Sequence, residues 1–178
     1  ADAGEPRARQ GAASSLSPDA PAQRTGRTMG DGNRLTLALA QLDLLVGDVH
    51  GNCARVVREA QRARDELRAD LVLFPELTLS GYPPEDLLFH RGLRQQMASA
   101  LQRVAAASDG IGLVVGYPEY AGGEIFNTAG LYRDGRLLAQ HRKCCLPNYK
   151  VFDEKRYFSA GSDSTVLDYR GFRIGLLV

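Results

Sequence analysis

The chain has 178 residues, 44% of them hydrophobic, about one domain's worth with enough apolar content for a buried core. Its 22 basic and 21 acidic residues leave a formal charge of +1, with no basic stripe of the kind a nucleic-acid surface needs, so nucleic acid is excluded as a partner. No apolar run approaches the ~20 residues of a membrane helix, and the N-terminus has no apolar secretory core, so no membrane contact is expected and the expected location is the cytoplasm. Cys53, Cys144 and Cys145 are odd in number and two are adjacent, which suits reduced thiols better than a disulfide framework. His50, His90 and His141 lack ligand spacing, so no metal site is expected.

Residues 1–33 are rich in Ala, Gly, Pro, Arg and Ser, with only Leu16 and Met29 as large apolar residues. Such a segment cannot bury enough surface to offset its ordering entropy. It reads as a disordered leader, or as an overextended start with Met29 the true initiator. The acids Asp2, Glu5 and Asp19 argue against a transit peptide.

A folded domain is expected over 34–178. Leu35 to Leu42 is short, apolar and continuous, as for a central strand covered on both faces. After Gly47-Asp48, Val56, Val57, Ala60, Ala63 and Leu67 recur at helical spacing opposite Arg55, Arg58, Glu59, Arg62 and Glu66, with Asn52 as a candidate cap. Leu71 to Phe74 is the next buried strand, making a right-handed strand, helix, strand crossover. Glu76 falls at the C-terminal end of that strand, where layered α/β folds carry their chemistry; a solvated loop carboxylate is the alternative. Pro83 and Pro84 pre-set a helix start favoured by Glu85 and Asp86. Leu93, Met97, Leu101 and Val104 then form an apolar face, with a break expected near Gly92. Ile111 to Tyr117 is a third buried strand. Phe126 to Tyr132 and Arg136 to Arg142 form a hairpin through Asp134-Gly135. Ser164 to Tyr169 and Phe172 to Val178 form a last pair through Arg170-Gly171, the second read as a buried strand.

Lys143 emerges directly after a strand and opens Lys143-Cys144-Cys145-Leu146-Pro147-Asn148-Tyr149-Lys150-Val151-Phe152-Asp153-Glu154-Lys155-Arg156-Tyr157-Phe158. Charges interleaved with aromatics predict a loop folded onto the protein body, as substrate-handling loops are. Glu76 and Lys143 thus each follow a buried strand, and a third such strand runs to Val178, a pattern of a triad lacking one member.

This stretch resembles the catalytic-lysine segment of the nitrilase superfamily, in the form found in the glutaminase domain of glutamine-dependent NAD synthetases. Phe74-Pro75-Glu76-Leu77-Thr78-Leu79-Ser80-Gly81-Tyr82-Pro83-Pro84-Glu85-Asp86-Leu87 resembles the catalytic-glutamate segment of the same family, and the likeness extends from Leu35 to Val178. It implies an α/β fold of the nitrilase type, a four-layer α-β-β-α sandwich, incomplete at the C-terminus. It also implies roles: Glu76 as proton acceptor, Lys143 as stabiliser of the oxyanion, Glu154 as an auxiliary carboxylate and Tyr149 as a contact to glutamine. The residue-level alternatives are a surface ion pair of Glu154 with Lys155 or Arg156, and simple aromatic packing for Tyr149.

The resemblance sets the nucleophilic cysteine immediately after Val178, so the chain is expected to be a fragment inactive on glutamine. Cys144 and Cys145 adjoin Lys143 but do not match the family position, and free cysteine is commonly a small buried hydrophobe. A Glu-Lys-Cys set suits attack on an unactivated amide, with a carboxylate to move the proton and an ammonium to meet the developing negative charge. The implied partners are L-glutamine and the protein's own synthetase domain, reached by an ammonia tunnel. ATP and magnesium would act in that domain, where deamido-NAD is amidated, and no cofactor is expected in this one. A homo-oligomer is expected. The alternatives are a stand-alone amidase or carbamoylase of the superfamily, and a non-catalytic module that keeps the fold without the nucleophile.

Overall fold

The computed structural model describes residues 34–178; the leader expected over 1–33 lies outside them. Nine regular elements follow in order: β1 Leu37–Leu39, α1 Val49–Asp65, β2 Leu71–Leu73, α2 Arg91–Ala107, β3 Gly112–Ala121, β4 Glu124–Arg133, β5 Arg136–Arg142, β6 Thr165–Tyr169 and β7 Phe172–Leu176. Strands β1 to β5 form one sheet in sequence order, while β6 and β7 pair separately. The first three strands run parallel, with Leu37 opposite Leu71 and Leu71 opposite Gly112. The next two are antiparallel, because Gly122-Gly123 and Asp134-Gly135 take the positive φ that tight hairpin turns require.

Both helices cover one face of the sheet. Val49, Cys53, Val56, Ala60 and Ala63 of α1 meet Leu93, Met97, Ala100 and Val104 of α2 over Val72, Leu113, Val115 and Tyr117, all buried. Each large side chain taken from water here stabilises by about 2 kcal/mol, so a charge at Val104, which is 0% exposed, would break the helix layer. The opposite face presents Leu71, Val114, Ala129 and Leu131, covered by Tyr169 and Leu176 of the β6–β7 hairpin. Tyr169 locks that hairpin down: its hydroxyl donates to the Asp70 carbonyl at 2.6 Å and accepts from Arg133 at 2.7 Å. The described residues thus supply helix, sheet and sheet in the expected layer order; a second helical layer is not among them. No helix among the described residues is long and apolar enough to cross a membrane.

Several expectations are corrected. Among the described residues the Leu35–Leu42 run is an edge strand of 3 residues, its alternate side chains Leu37 and Leu39 left 49% and 71% exposed; an apolar run does not distinguish centre from edge. Asp48 caps α1, accepting from Gly51 N at 2.9 Å. Asn52 instead lies inside the helix, buried, and ties the incoming loop by bonding the Leu45 main chain through both ends of its amide, at 3.1 and 2.8 Å. Pro83 and Pro84 lead into a 3-10 turn over Glu85–Phe89, and the break before α2 comes at His90 rather than at Gly92. Among the described residues β7 has a single partner, β6, and the last segment is half-exposed, as expected of a strand without the layers that would cover it.

Candidate active site

Glu76 sits three residues beyond β2, in a loop that crosses directly over β3. Phe74 N donates to Val114 O at 3.0 Å and Leu79 N to Gly116 O at 3.2 Å, so both ends of the Glu76 segment are sewn to that strand. The crossing is close enough to require glycine: a Cβ on Gly116 would stand 2.5 Å from Leu77 N and 2.9 Å from Pro75 O. Leu77 takes a φ of 48° to make the turn and is itself fully buried.

Lys143 follows β5 and is tied on both sides, its N–H donating to Asn127 O at 2.8 Å and its carbonyl accepting from Gly161 N at 2.9 Å. Its side chain reaches Glu76 across the sheet end, Nζ to Oε1 at 2.7 Å. Glu154 comes from the loop beyond, on a 3-10 turn over Glu154–Arg156, and is 5% exposed. Lys143 Nζ stands 3.1 Å from each Glu154 oxygen, but only Oε1 is in hydrogen-bonding geometry and Oε2 is left without a donor. Tyr82 donates to the same Oε1 at 3.1 Å, and Asn127 Nδ2 donates to Glu76 Oε1 at 2.6 Å.

One ammonium thus serves two carboxylates. Burial by itself would lower the Lys143 pKa, but the hydrogen bonds and charges of Glu76 and Glu154 outweigh it and raise the value, so the side chain stays cationic. The Tyr82 hydroxyl is pushed up to about 12 by burial and by the adjacent Glu154 charge, so it remains a donor. The Glu76 side chain keeps 36% of its surface open, which leaves it reachable from outside. On the Glu154 side of the cluster lies a cavity of about 390 Å³ lined by Tyr82, Asp86, Phe152, Glu154 and Tyr157, with neither Glu76 nor Lys143 in its wall; it is within the size range of small-molecule sites. A second cleft, of about 490 Å³, is lined by Glu124, Gln140, Arg142 and Asp163 and by no residue of the cluster. No group of His, Cys, Asp and Glu among the described residues is arranged to hold a metal ion.

The sequence pattern described as carbon-nitrogen hydrolase matches residues 36–178, which includes all of this cluster. The chain belongs to the carbon-nitrogen hydrolase family. Among curated relatives, the glutamine-dependent NAD(+) synthetase of Xanthomonas campestris is 47% identical over 146 residues, 81% of this chain and 26% of that protein. Among solved structures, the glutamine-dependent NAD+ synthetase of Acinetobacter baumannii aligns with a TM-score of 0.77 and 37% identity, over 80% of this chain and 27% of the other. An amidase from Nesterenkonia sp. aligns at 0.73 and 30%, over 82% and 56%. The chain spans about a quarter of the length of the curated relatives it matches.

Of the four residues singled out from the sequence of this carbon-nitrogen hydrolase domain, three come together: Glu76, Lys143 and Glu154. Glu154 pairs with Lys143 and not with its neighbours Lys155 or Arg156. Tyr149 stands apart, 62% exposed, its ring edge-on to Phe152 at 5.6 Å. The cysteine sulfurs bond elsewhere: Cys53 to Ala100 O, and Cys144 to Arg142 O and Asp163 O.

Sequence reasoning missed Asn127 and Tyr82 as parts of the cluster. A usable signal existed for Asn127, a polar residue within the apolar strand run Phe126 to Tyr132 where asparagine is disfavoured. Tyr82 had none, since its partner Glu154 is 72 residues away.

Proposed function

We propose that this domain hydrolyses the side-chain amide of L-glutamine and supplies ammonia to a synthetase domain that amidates deamido-NAD to NAD. The observation that carries this reading is Lys143 Nζ held 2.7 Å from Glu76 and 3.1 Å from Glu154, with the Glu76 side chain 36% open, in a chain 47% identical to a glutamine-dependent NAD(+) synthetase. The nucleophile in this reading is a cysteine directly after Val178. It has a counterpart in the Nesterenkonia amidase, a glutamate-to-glutamine mutant of which shows Michael addition of acrylamide at the active-site cysteine.

Glu76 accepts the thiol proton as sulfur attacks the amide carbon. The Lys143 ammonium, fixed in place by two carboxylates, stabilises the oxyanion. Glu76 then gives the proton to the departing nitrogen, ammonia leaves, and a thioester remains. Water attacks the thioester with Glu76 again taking a proton; glutamate departs and the thiol is restored. Glu154 holds Lys143, and Tyr82 in turn holds Glu154. Tyr149, exposed and edge-on to Phe152 of the cavity wall, would contact the glutamine. ATP and magnesium belong to the synthetase domain, and the hydrolysis balances without either. The assembled protein is proposed to be a cytoplasmic homo-oligomer.

The test uses the full-length protein. Glu76→Gln cannot accept the thiol proton and should abolish glutamine-dependent turnover while leaving synthesis from added ammonia intact; Lys143→Ala should behave alike, with a loss of roughly several kcal/mol of transition-state stabilisation. Near wild-type glutamine turnover in either variant removes that residue from the site. A stand-alone amidase is the second reading, favoured by the Nesterenkonia match over 56% of that chain; it predicts hydrolysis of simple amides with no ammonia-dependent synthesis.

A further inference from the structure

Asn127 is 1% exposed on β4, and it is bonded to both members of the Glu76–Lys143 pair. Its carbonyl accepts from Lys143 N at 2.8 Å, and its Nδ2 donates to Glu76 Oε1 at 2.6 Å. The same Oε1 accepts from Lys143 Nζ at 2.7 Å. Two donors on one oxygen occupy both of its lone pairs, so the carboxylate cannot turn without giving one up. Glu76 Oε2 makes no hydrogen bond to any described residue.

At its far end the Asn127 amide is left with Oδ1 buried and without a donor. An empty buried acceptor costs stability, and a strand interior filled for packing alone would carry an apolar side chain. Rotating the amide does not help, since it would set Oδ1 against Glu76 Oε1, acceptor to acceptor. Lys143 cannot do the same work alone: its ammonium is a compact point charge shared with Glu154, whereas a planar amide on a strand fixes direction.

The geometry points to Asn127 as a positioning residue for the amide hydrolysis proposed above, on which this inference rests: its side-chain amide pins Glu76 Oε1 and leaves Oε2 as the oxygen that takes the nucleophile's proton. Because the same residue holds the Lys143 backbone, the proton acceptor and the oxyanion donor are set against one strand position.

The test uses full-length protein carrying Asn127→Asp, near-isosteric but without the donor, and Asn127→Ala. In both, kcat for glutamine hydrolysis falls about 10- to 100-fold while KM stays within about threefold. In Asn127→Asp the acid limb of the kcat profile also moves to higher pH, because a third carboxylate joins Glu76 and Glu154 around the single Lys143 ammonium, with Tyr82 the remaining titratable neighbour. A residue that only packs would lower thermal stability and leave kcat of the folded Asn127→Ala protein in place. Either folded variant with kcat within about twofold of wild type, or with a loss confined to KM, overturns the inference.

A measurement on unaltered Asn127 covers the case in which neither variant folds. The nitrogen-15 resonance of its side-chain amide follows a carboxylate titration in the wild type and loses it in Glu76→Gln; a resonance indifferent to pH also overturns the inference. Glu76→Gln assayed alongside separates the two claims. If it stays active, the proposed function fails; if it is inactive while both Asn127 variants turn over normally, only the role of Asn127 fails.

Discussion

Gly116→Ala tests the link between fold and site, because the loop that carries Glu76 rests on this glycine. The new methyl would stand 2.5 Å from Leu77 N, 2.9 Å from Pro75 O and 3.0 Å from Glu76 C. Ordinary Cβ contacts begin at 3.4 Å, so the Leu77 nitrogen must retreat by about 0.9 Å, and all three obstructing atoms are backbone. No rotamer change relieves that. Overpacking against rigid neighbours costs typically 1–3 kcal/mol, and the upper end applies here, so the domain should lose about 3 kcal/mol, or roughly 6–12 °C in its melting midpoint. A shift of that size also exceeds what the 2.7 Å Glu76–Lys143 bond tolerates, and misplacement of about 1 Å can lower turnover about 100-fold. Thermal melting of the domain reads the first effect, and glutamine hydrolysis by the full-length protein the second. Gly92→Ala is the control: nothing lies within 4 Å of its Cβ position and it sits in the first turn of α2, so stability should hold or rise by up to about 1 kcal/mol. A Gly116→Ala protein that melts with the wild type and keeps its activity would refute the close-approach argument.

Tyr82→Phe removes the hydroxyl that donates to Glu154 Oε1 at 3.1 Å; glutamine turnover should fall roughly 10-fold as Glu154 and Lys143 loosen, with ammonia-dependent synthesis as the unaffected reference assay. Glu119 is gripped by Arg142 through two bonds of 2.8 and 2.6 Å, and those bonds hold its carboxyl below the usual range against the opposing effect of burial. A depressed folded value means that its stabilisation is present above the unfolded carboxyl pKa, about 4.3, and is lost as pH falls through the folded value. The melting gap between wild type and Glu119→Gln should therefore be constant from neutral pH to about 5 and close below about 4; a gap that widens in acid would contradict the sign.

Local chemistry along the chain was enough to identify the α1 and α2 stripes, the Asp134-Gly135 and Arg170-Gly171 turns, and Glu76 and Lys143 at strand ends. Each rests on neighbours a few residues apart: helical spacing, positive-φ turn residues, or a charge that follows an apolar run. Motif resemblance added Glu154, whose 5% exposure runs against its place in the charged run Asp153 to Arg156.

What needed the tertiary structure are the relations between distant segments. That β1 lies at an edge among the described residues, with Leu39 71% exposed, follows from which strands pair, and an apolar run reads alike at edge and centre. That Gly116 yields space to Leu77, and that Asn127 and Tyr82 hold Glu76 and Glu154, depends on contacts spanning up to 72 residues. A hydrogen bond a few ångströms long is set by the sheet register that brings its ends together, and no composition or period within either segment encodes that register by itself.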